Sequence, residues 1–197
     1  MRILVVGATG TIGRAVVNAL ASHDVVRVSR RSSPITADIT SCDSIAEMYR
    51  TVGMVDAIVS ATGYAKFAPL DALTDADYAM SIANKLMGQV NLVRLGFEHV
   101  RDGGSITLTS GQLATFPKQG GAAHSLVNAA LEGFTRAAAL EAPRRIRVNV
   151  VSPSWLTETL EEFGMDPSDG LPAATAARAY VRSIMGSQTG AVIEPEE

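Results

Sequence analysis

The sequence predicts one α/β domain, a doubly wound parallel sheet of about seven strands with helices on both faces, and three observations predict it. Strand-like and helix-like segments alternate along all 197 residues, the pattern that lays helices across a parallel sheet. The first β-branched run passes directly into a glycine-rich turn and then into helical spacing. No internal repeat, charge block or low-complexity linker divides the chain, and its length suits a single core.

Arg2 to Val6 is continuously apolar after its first residue, as a strand buried on both faces should be, and Gly7 to Gly13 punctuates it. Helical spacing begins near Thr11, Val25 to Val28 is the second strand, and a short third strand leads to Asp38. Ser41 to Val52 reads as a helix that Ser41 or Asp43 can cap. Val55 to Ser60 is the fourth strand. One long helix is expected from about Thr74 to His99, broken by Gly103 and Gly104, with Ser105 to Thr109 as the fifth strand. A second long helix covers Ala122 to Ala142 and stops at Pro143. Ile146 to Val151 is the sixth strand, Trp155 to Leu171 a loop with a short helix, Ala173 to Met185 the last helix and Ala191 to Ile193 a seventh strand.

Composition narrows the function. Hydrophobic residues make up 47% of the chain and charged ones 19%, with a formal charge of −3, so nothing electrostatic points to nucleic acid or an anionic membrane as partner. The single Cys42 closes no internal disulfide, and no Cys/His cluster has metal-ligand spacing. The apolar run Ile3 to Val6 is far too short for a signal or a membrane span. A cytoplasmic protein with a small-molecule partner is the expectation.

The segment Gly7-Ala8-Thr9-Gly10-Thr11-Ile12-Gly13 stands where a dinucleotide fingerprint must stand, between first strand and first helix. Gly7 and Gly10 permit close phosphate approach, Gly13 permits close helix–strand packing, and the helix start offers free N–H groups to a pyrophosphate. Residues 1–197 therefore read as a single NAD(P)-binding Rossmann domain. After the second strand comes Ser29-Arg30-Arg31 in place of the acidic residue that would bind the ribose of NAD. Guanidinium groups there pair with a 2′-phosphate, so NADP(H) is favoured over NAD(H).

With these residues in place, the chain resembles the short-chain dehydrogenases/reductases over nearly its whole length. The resemblance casts Asp38, with Ile39, in Ala37-Asp38-Ile39-Thr40 as the adenine-contacting pair, and Ser60-Ala61-Thr62-Gly63 as the motif that ends the fourth strand. It makes Asn84 the helix asparagine of a proton relay, Ser110 the serine that polarises the substrate oxygen, and Pro153 and Thr157 contacts of the nicotinamide end. Ala129 to Glu141 and Arg147 to Pro153 match the following helix and strand. The implied helix packing is that of a homodimer or homotetramer, through the stretches 74–99 and 122–142.

One motif departs. Where the family places Tyr-x-x-x-Lys, the chain reads His124-Ser125-Leu126-Val127-Asn128, and Tyr49, Tyr64, Tyr78 and Tyr180 lie in unrelated elements. His124 has a side chain that titrates near neutrality and can move a proton. Asn128, one helical turn on, can hydrogen-bond a ribose. Two readings follow: an NADP(H)-dependent oxidoreductase of a small carbonyl or alcohol using Ser110 and His124, or a catalytically impaired NADP(H)-binding pseudoenzyme with a sensing or structural role. Glu158, Glu161 and Glu162 read as a solvated face, His23 and His99 as helix-end residues, and Trp155 and Phe163 as either pocket walls or packing for a lid.

Overall fold

Alternate residues of the first strand, β1 (Arg2–Val6), enter opposite cores: Ile3 and Val5 pack on one side of the sheet, Leu4 and Val6 on the other. Both faces are covered, which is why the strand is apolar without alternation. The structure is a computed structural model that describes residues 1–196.

Six further strands join β1: β2 (Asp24–Ser29), β3 (Ile35–Thr36), β4 (Val55–Ser60), β5 (Val100–Thr109), β6 (Arg147–Val151) and β7 (Val192–Ile193). All pair in parallel, in the order β3-β2-β1-β4-β5-β6-β7. Helices α1 (Thr11–Ala19) and α7 (Ala173–Met185) cover one face, burying Val16, Ala177, Tyr180 and Ile184. The other face carries α2 (Cys42–Val52), α4 (Gly88–Gly96) and α5 (Ala122–Glu141), with Tyr49, Leu92 and Leu131 inside. From β1 the chain winds outward to β3 and then returns to β4 beside β1. That reversal opens a crevice at the carboxyl ends of β1 and β4, where open α/β sheets bind ligands.

The expected helix 74–99 is not continuous. Thr74 and Asp77 form a reciprocal cap on α3 (Asp75–Ser81), a π-helical turn spans Ile82–Met87, α4 follows, and Phe97–His99 closes with a tighter turn. The cause lies outside the helix. Gln89 is fully buried, and its amide both donates to Thr109 O (2.8 Å) and accepts from Thr109 N (2.9 Å), satisfying the end of β5. With α4 locked to the strand, the extra residue is taken up as a widened turn, the usual form of a π-bulge.

The fifth strand also starts earlier than expected, at Val100, because a register shift opposite Val55 and Ala57 lets the strand run through Gly103 and Gly104. Ser41 rather than Asp43 caps α2, accepting from Ser44 N. Glu158, Glu161 and Glu162 lie exposed on α6 (Thr157–Glu162), as a solvated face should; Glu158 has a further role, its carboxylate accepting from Ala173 N at 3.0 Å at the start of α7. Arg147 donates to Ser183 O and Ile184 O near the C-terminus of α7, where a cation is favourable. His99 stacks on Tyr49, ring centroids 5.0 Å apart.

Candidate functional site

The glycine turn separates two demands. A Cβ at Gly7 (φ +88) would lie 2.2 Å from Ala61 O, and one at Gly13 would lie 1.9 Å from Gly7 O. Both glycines are required by the protein's own packing. A Cβ at Gly10 would meet nothing nearer than Gly7 O at 3.5 Å, so the protein's own packing does not require a glycine there. Helix α1 starts there with no side-chain cap and no acidic residue in its first turn, which leaves its N–H groups for a phosphate. Thr9 and Gly10 are exposed, and Thr11 and Ile12 partly so.

Beside the turn, a small recess is lined by Gly7, Ser29, Arg30, Asp38, Ile39 and Thr62, with Asn84 at its edge. Arg30 Nη2 stands 3.5 Å from Asp38 Oδ2. The Asp38 carboxyl is held below its usual range by hydrogen bonds from Thr40, side chain and backbone, and by the Arg30 charge. Arg31 is not part of that lining.

On the other side of Thr62 and Gly63 a cleft of about 390 Å³ opens. Ile12, Ala61 and Pro153 are among its lining; the buried or half-buried Lys85, Ser110, His124 and Asn128 form its floor, and the exposed Phe116, Lys118 and Asp169, with Trp155, its outer part. Phe67 stands edge-on between His124 (5.8 Å) and Trp155 (5.5 Å). Trp155 is thus a wall, whereas Phe163 is exposed.

Lys85, which belongs to none of the sequence motifs, is the unexpected member. Its Nζ donates to Ser110 O at 3.2 Å, and desolvation lowers its pKa to about 8. Loss of solvent, and secondarily the Lys85 charge, lowers that of His124 to about 4, partly opposed by a backbone hydrogen bond with Lys66. At neutral pH the imidazole is therefore neutral and the lysine mostly protonated. The sequence signal for Lys85 was weak: a lone lysine next to Asn84 in what reads as an ordinary helix. In the structure it lies in the π turn with its Nζ on Ser110 O.

Other expected site residues fall as follows. Asn128 is buried, donates to Gly111 O at 3.2 Å, and keeps its Oδ1 buried without a partner, as does His124 its Nδ1. Ser110 lines the cleft, but its hydroxyl donates to Glu132 Oε1 at 3.1 Å, an acceptor shared with Ser152. Asn84 accepts from Tyr64 N at 2.7 Å and stays on the recess side, outside the cleft. Ser60 is fully buried, and its carbonyl accepts from Thr109 Oγ1. Thr157 opens α6 without lining the cleft, where Thr159 appears instead. Tyr180 lies in α7, outside the cleft lining, with its buried hydroxyl 2.6 Å from Thr109 Oγ1.

Fold and cradle define the class, an open parallel α/β protein built to hold a dinucleotide at its topological switch point. A family model described as Enoyl-(Acyl carrier protein) reductase matches residues 7–191, and the chain belongs to the short-chain dehydrogenase/reductase family, whose members use a nicotinamide cofactor. It is similar to the crystal structure of the protein lin1944 from Listeria innocua, with 44% identity, a TM-score of 0.95 and all of both chains covered. A small-chain dehydrogenase solved in complex with NADPH is 27% identical, with a TM-score of 0.87 over 98% of this chain and 95% of that one. Among curated proteins, the hydroxynaphthalene reductase of Aspergillus fumigatus is 31% identical over 132 residues, 64% of this chain and 48% of that protein. The chain thus spans about half the length of such fungal relatives. An uncharacterized oxidoreductase of Methylorubrum extorquens is 28% identical over 87% of this chain and 81% of its own. Among the described residues no helix is long and apolar enough to cross a membrane.

Proposed function

We propose that the protein is an NADP(H)-dependent oxidoreductase that interconverts a small carbonyl compound and its alcohol. One observation carries the reading: a single cleft runs from Ile12 and Thr62, beside the glycine turn, to the titratable side chains Lys85 and His124. A bound nicotinamide supplies or accepts the hydride in that space.

The residues present fit such a cofactor. The free N-terminus of α1 and the open side of Gly10 suit the pyrophosphate, and the unpartnered Oδ1 of Asn128 suits a ribose hydroxyl. Arg30, steadied by Asp38, supports a 2′-phosphate partner and hence NADP(H); the NADPH bound by the small-chain dehydrogenase is consistent with that choice. Thr157 and Arg31 have the weakest claims to contact it. Neutral His124 supports a hydrogen bond to a substrate oxygen, and Phe116 and Trp155 give that substrate apolar walls, with Phe67 packed edge-on against Trp155 and His124.

The pseudoenzyme reading draws on Ser110, whose hydroxyl proton is directed to Glu132 and away from the cleft. A partly buried ammonium in the same cleft speaks for chemistry, because desolvating a charge costs stability and such groups cluster at working sites. The test is a fluorescence titration with NADPH and NADH, followed by loss of NADPH absorbance with benzaldehyde, acetophenone, diacetyl and ethyl acetoacetate. Steady turnover supports the enzyme; tight binding with no turnover of any of them favours the pseudoenzyme; equal affinity for NADH removes the role of Arg30.

A further inference from the structure

The structure assigns to Lys85 the task of giving the substrate oxygen its proton during reduction, from a helix that holds no part of the Tyr-x-x-x-Lys position. The assignment rests on the oxidoreductase reading and on three geometric facts. First, the lysine is held in a built device. Lys85 sits within the π-helical turn Ile82–Met87, and Gln89 braces the turn by donating to Lys85 O at 3.2 Å while its amide grips Thr109.

Second, room is made for it. A Cβ at Gly63 (φ +118) would stand 3.0 Å from Lys85 Cγ and 3.1 Å from its Cα. The turn after β4 thus passes over the lysine stem only because it is a glycine there. Third, the ammonium has one protein acceptor, Ser110 O, among the described residues. Of its three N–H donors, two remain for a ligand.

The hydroxyls of Ser110 and Thr109 are committed elsewhere, while His124 Nδ1 and Asn128 Oδ1 are without partners among the described residues. Ser110 gives its hydroxyl proton to Glu132, and Thr109 gives its own to Ser60 O. Tyr180 is left to donate to Thr109 Oγ1, below the floor. Around Lys85 stand His124 from α5, Lys118 and Asp169 in the outer part of the cleft, and Glu132 behind Ser110. No carboxylate forms an ion pair with it among the described residues.

In the reduction, the substrate carbonyl carbon gains a hydride of nicotinamide origin. The C=O π pair moves to oxygen, and oxygen forms an O–H bond with a proton from the Lys85 ammonium. The resulting amine regains a proton from water through the open side of the cleft. Alcohol oxidation runs the same transfer backwards and needs the neutral amine.

The experiment compares wild type with Lys85→Met, Lys85→Arg and Lys85→Gln, using NADPH and benzaldehyde, after thermal melts confirm that each variant folds. The expected result is a loss of about 10²-fold or more in the single-turnover reduction rate for all three, with the NADPH Kd within about threefold of wild type. Arginine keeps the charge but releases no proton, so recovery in Lys85→Arg would overturn the assignment. A separate readout needs no turnover: in nitrogen NMR of the apo protein, the Lys85 ammonium is expected to titrate near 8, and a midpoint near ~10.4 would overturn it. If wild type turns over and Lys85→Met is as fast, only this assignment falls. Should wild type bind NADPH yet reduce none of the four carbonyls, the oxidoreductase reading and the assignment fall together.

Discussion

The Lys85 ammonium lies 3.2 Å from the carbonyl oxygen of Ser110, so the residue that follows β5 and the π turn before α4 meet at the cleft floor. The contact satisfies one donor of a desolvated charge and does not neutralise it, and its cost is measurable. Desolvation lowers the folded-state pKa of Lys85 to about 8, below its unfolded value. Between these two values the unfolded chain binds more protons, so the lysine's destabilising effect diminishes as pH rises through that window. Urea unfolding of wild type and Lys85→Met is expected to show the variant more stable near about pH 7, with the gap narrowing toward about pH 10. A gap independent of pH would refute the desolvated ammonium.

His124 gives the corresponding signature on the acid side. Its folded pKa of about 4 is below the ordinary histidine value, chiefly because of desolvation. A group neutral in the folded state opposes protonation, so stability falls as pH drops from the unfolded pKa of about 6.5 toward 4. His124→Gln is expected to flatten that part of the stability curve, measured against wild type by urea midpoints. Parallel curves would show that the imidazole is solvated.

Glycine substitutions should divide by what fills the missing Cβ. Gly13→Ala places a methyl 1.9 Å from Gly7 O, and a loss of about 1–3 kcal/mol in unfolding free energy is expected, as for other overpacked sites. Gly10→Ala meets no protein atom closer than 3.5 Å and should leave stability within about 1 kcal/mol while weakening NADPH binding. If Gly10→Ala binds NADPH as wild type does, the phosphate does not lie against this turn.

Arg30→Ala tests the cofactor preference. Losing a charge-assisted hydrogen bond of about 1.5–3 kcal/mol corresponds to roughly 10–100-fold in Kd. That loss is expected for NADPH with NADH little changed, by fluorescence titration. Equal weakening of both would place Arg30 on the adenine or ribose rather than on the 2′-phosphate.

The cap on α7 is a local prediction. Glu158 accepts from Ala173 N with both carboxylate oxygens at 3.0 Å. Glu158→Ala should lower stability by about 0.5–2 kcal/mol, read from urea unfolding. It should leave NADPH affinity alone, since Glu158 lines neither recess nor cleft.

Much of the molecule was legible before any coordinate. The apolar run Ile3 to Val6, the spacing Gly7, Gly10 and Gly13, and Ser41 before a helical pattern are local signals, and each was found where its pattern placed it. Legibility ended where a residue's behaviour depends on a distant partner. Nothing near Glu158 shows that Ala173 needs a cap, and nothing near Tyr180 shows that its hydroxyl reaches Thr109. The strand periodicity after Gly104 concealed that β5 begins at Val100.

The sequence by itself determined the parallel α/β sheet, the dinucleotide turn and the absence of the tyrosine and lysine at His124 and Asn128, because these follow from the order of residues and short-range backbone preference. Which lysine serves the cleft was decided only in three dimensions. Gln89 locked to Thr109, the π turn that this forces and the Cβ-free space at Gly63 together carry Lys85 to the floor. The Gln89–Thr109 lock and the Gly63–Lys85 fit are not periodic properties of their own segments; both are contacts between separate elements, and so become fixed only when the core closes.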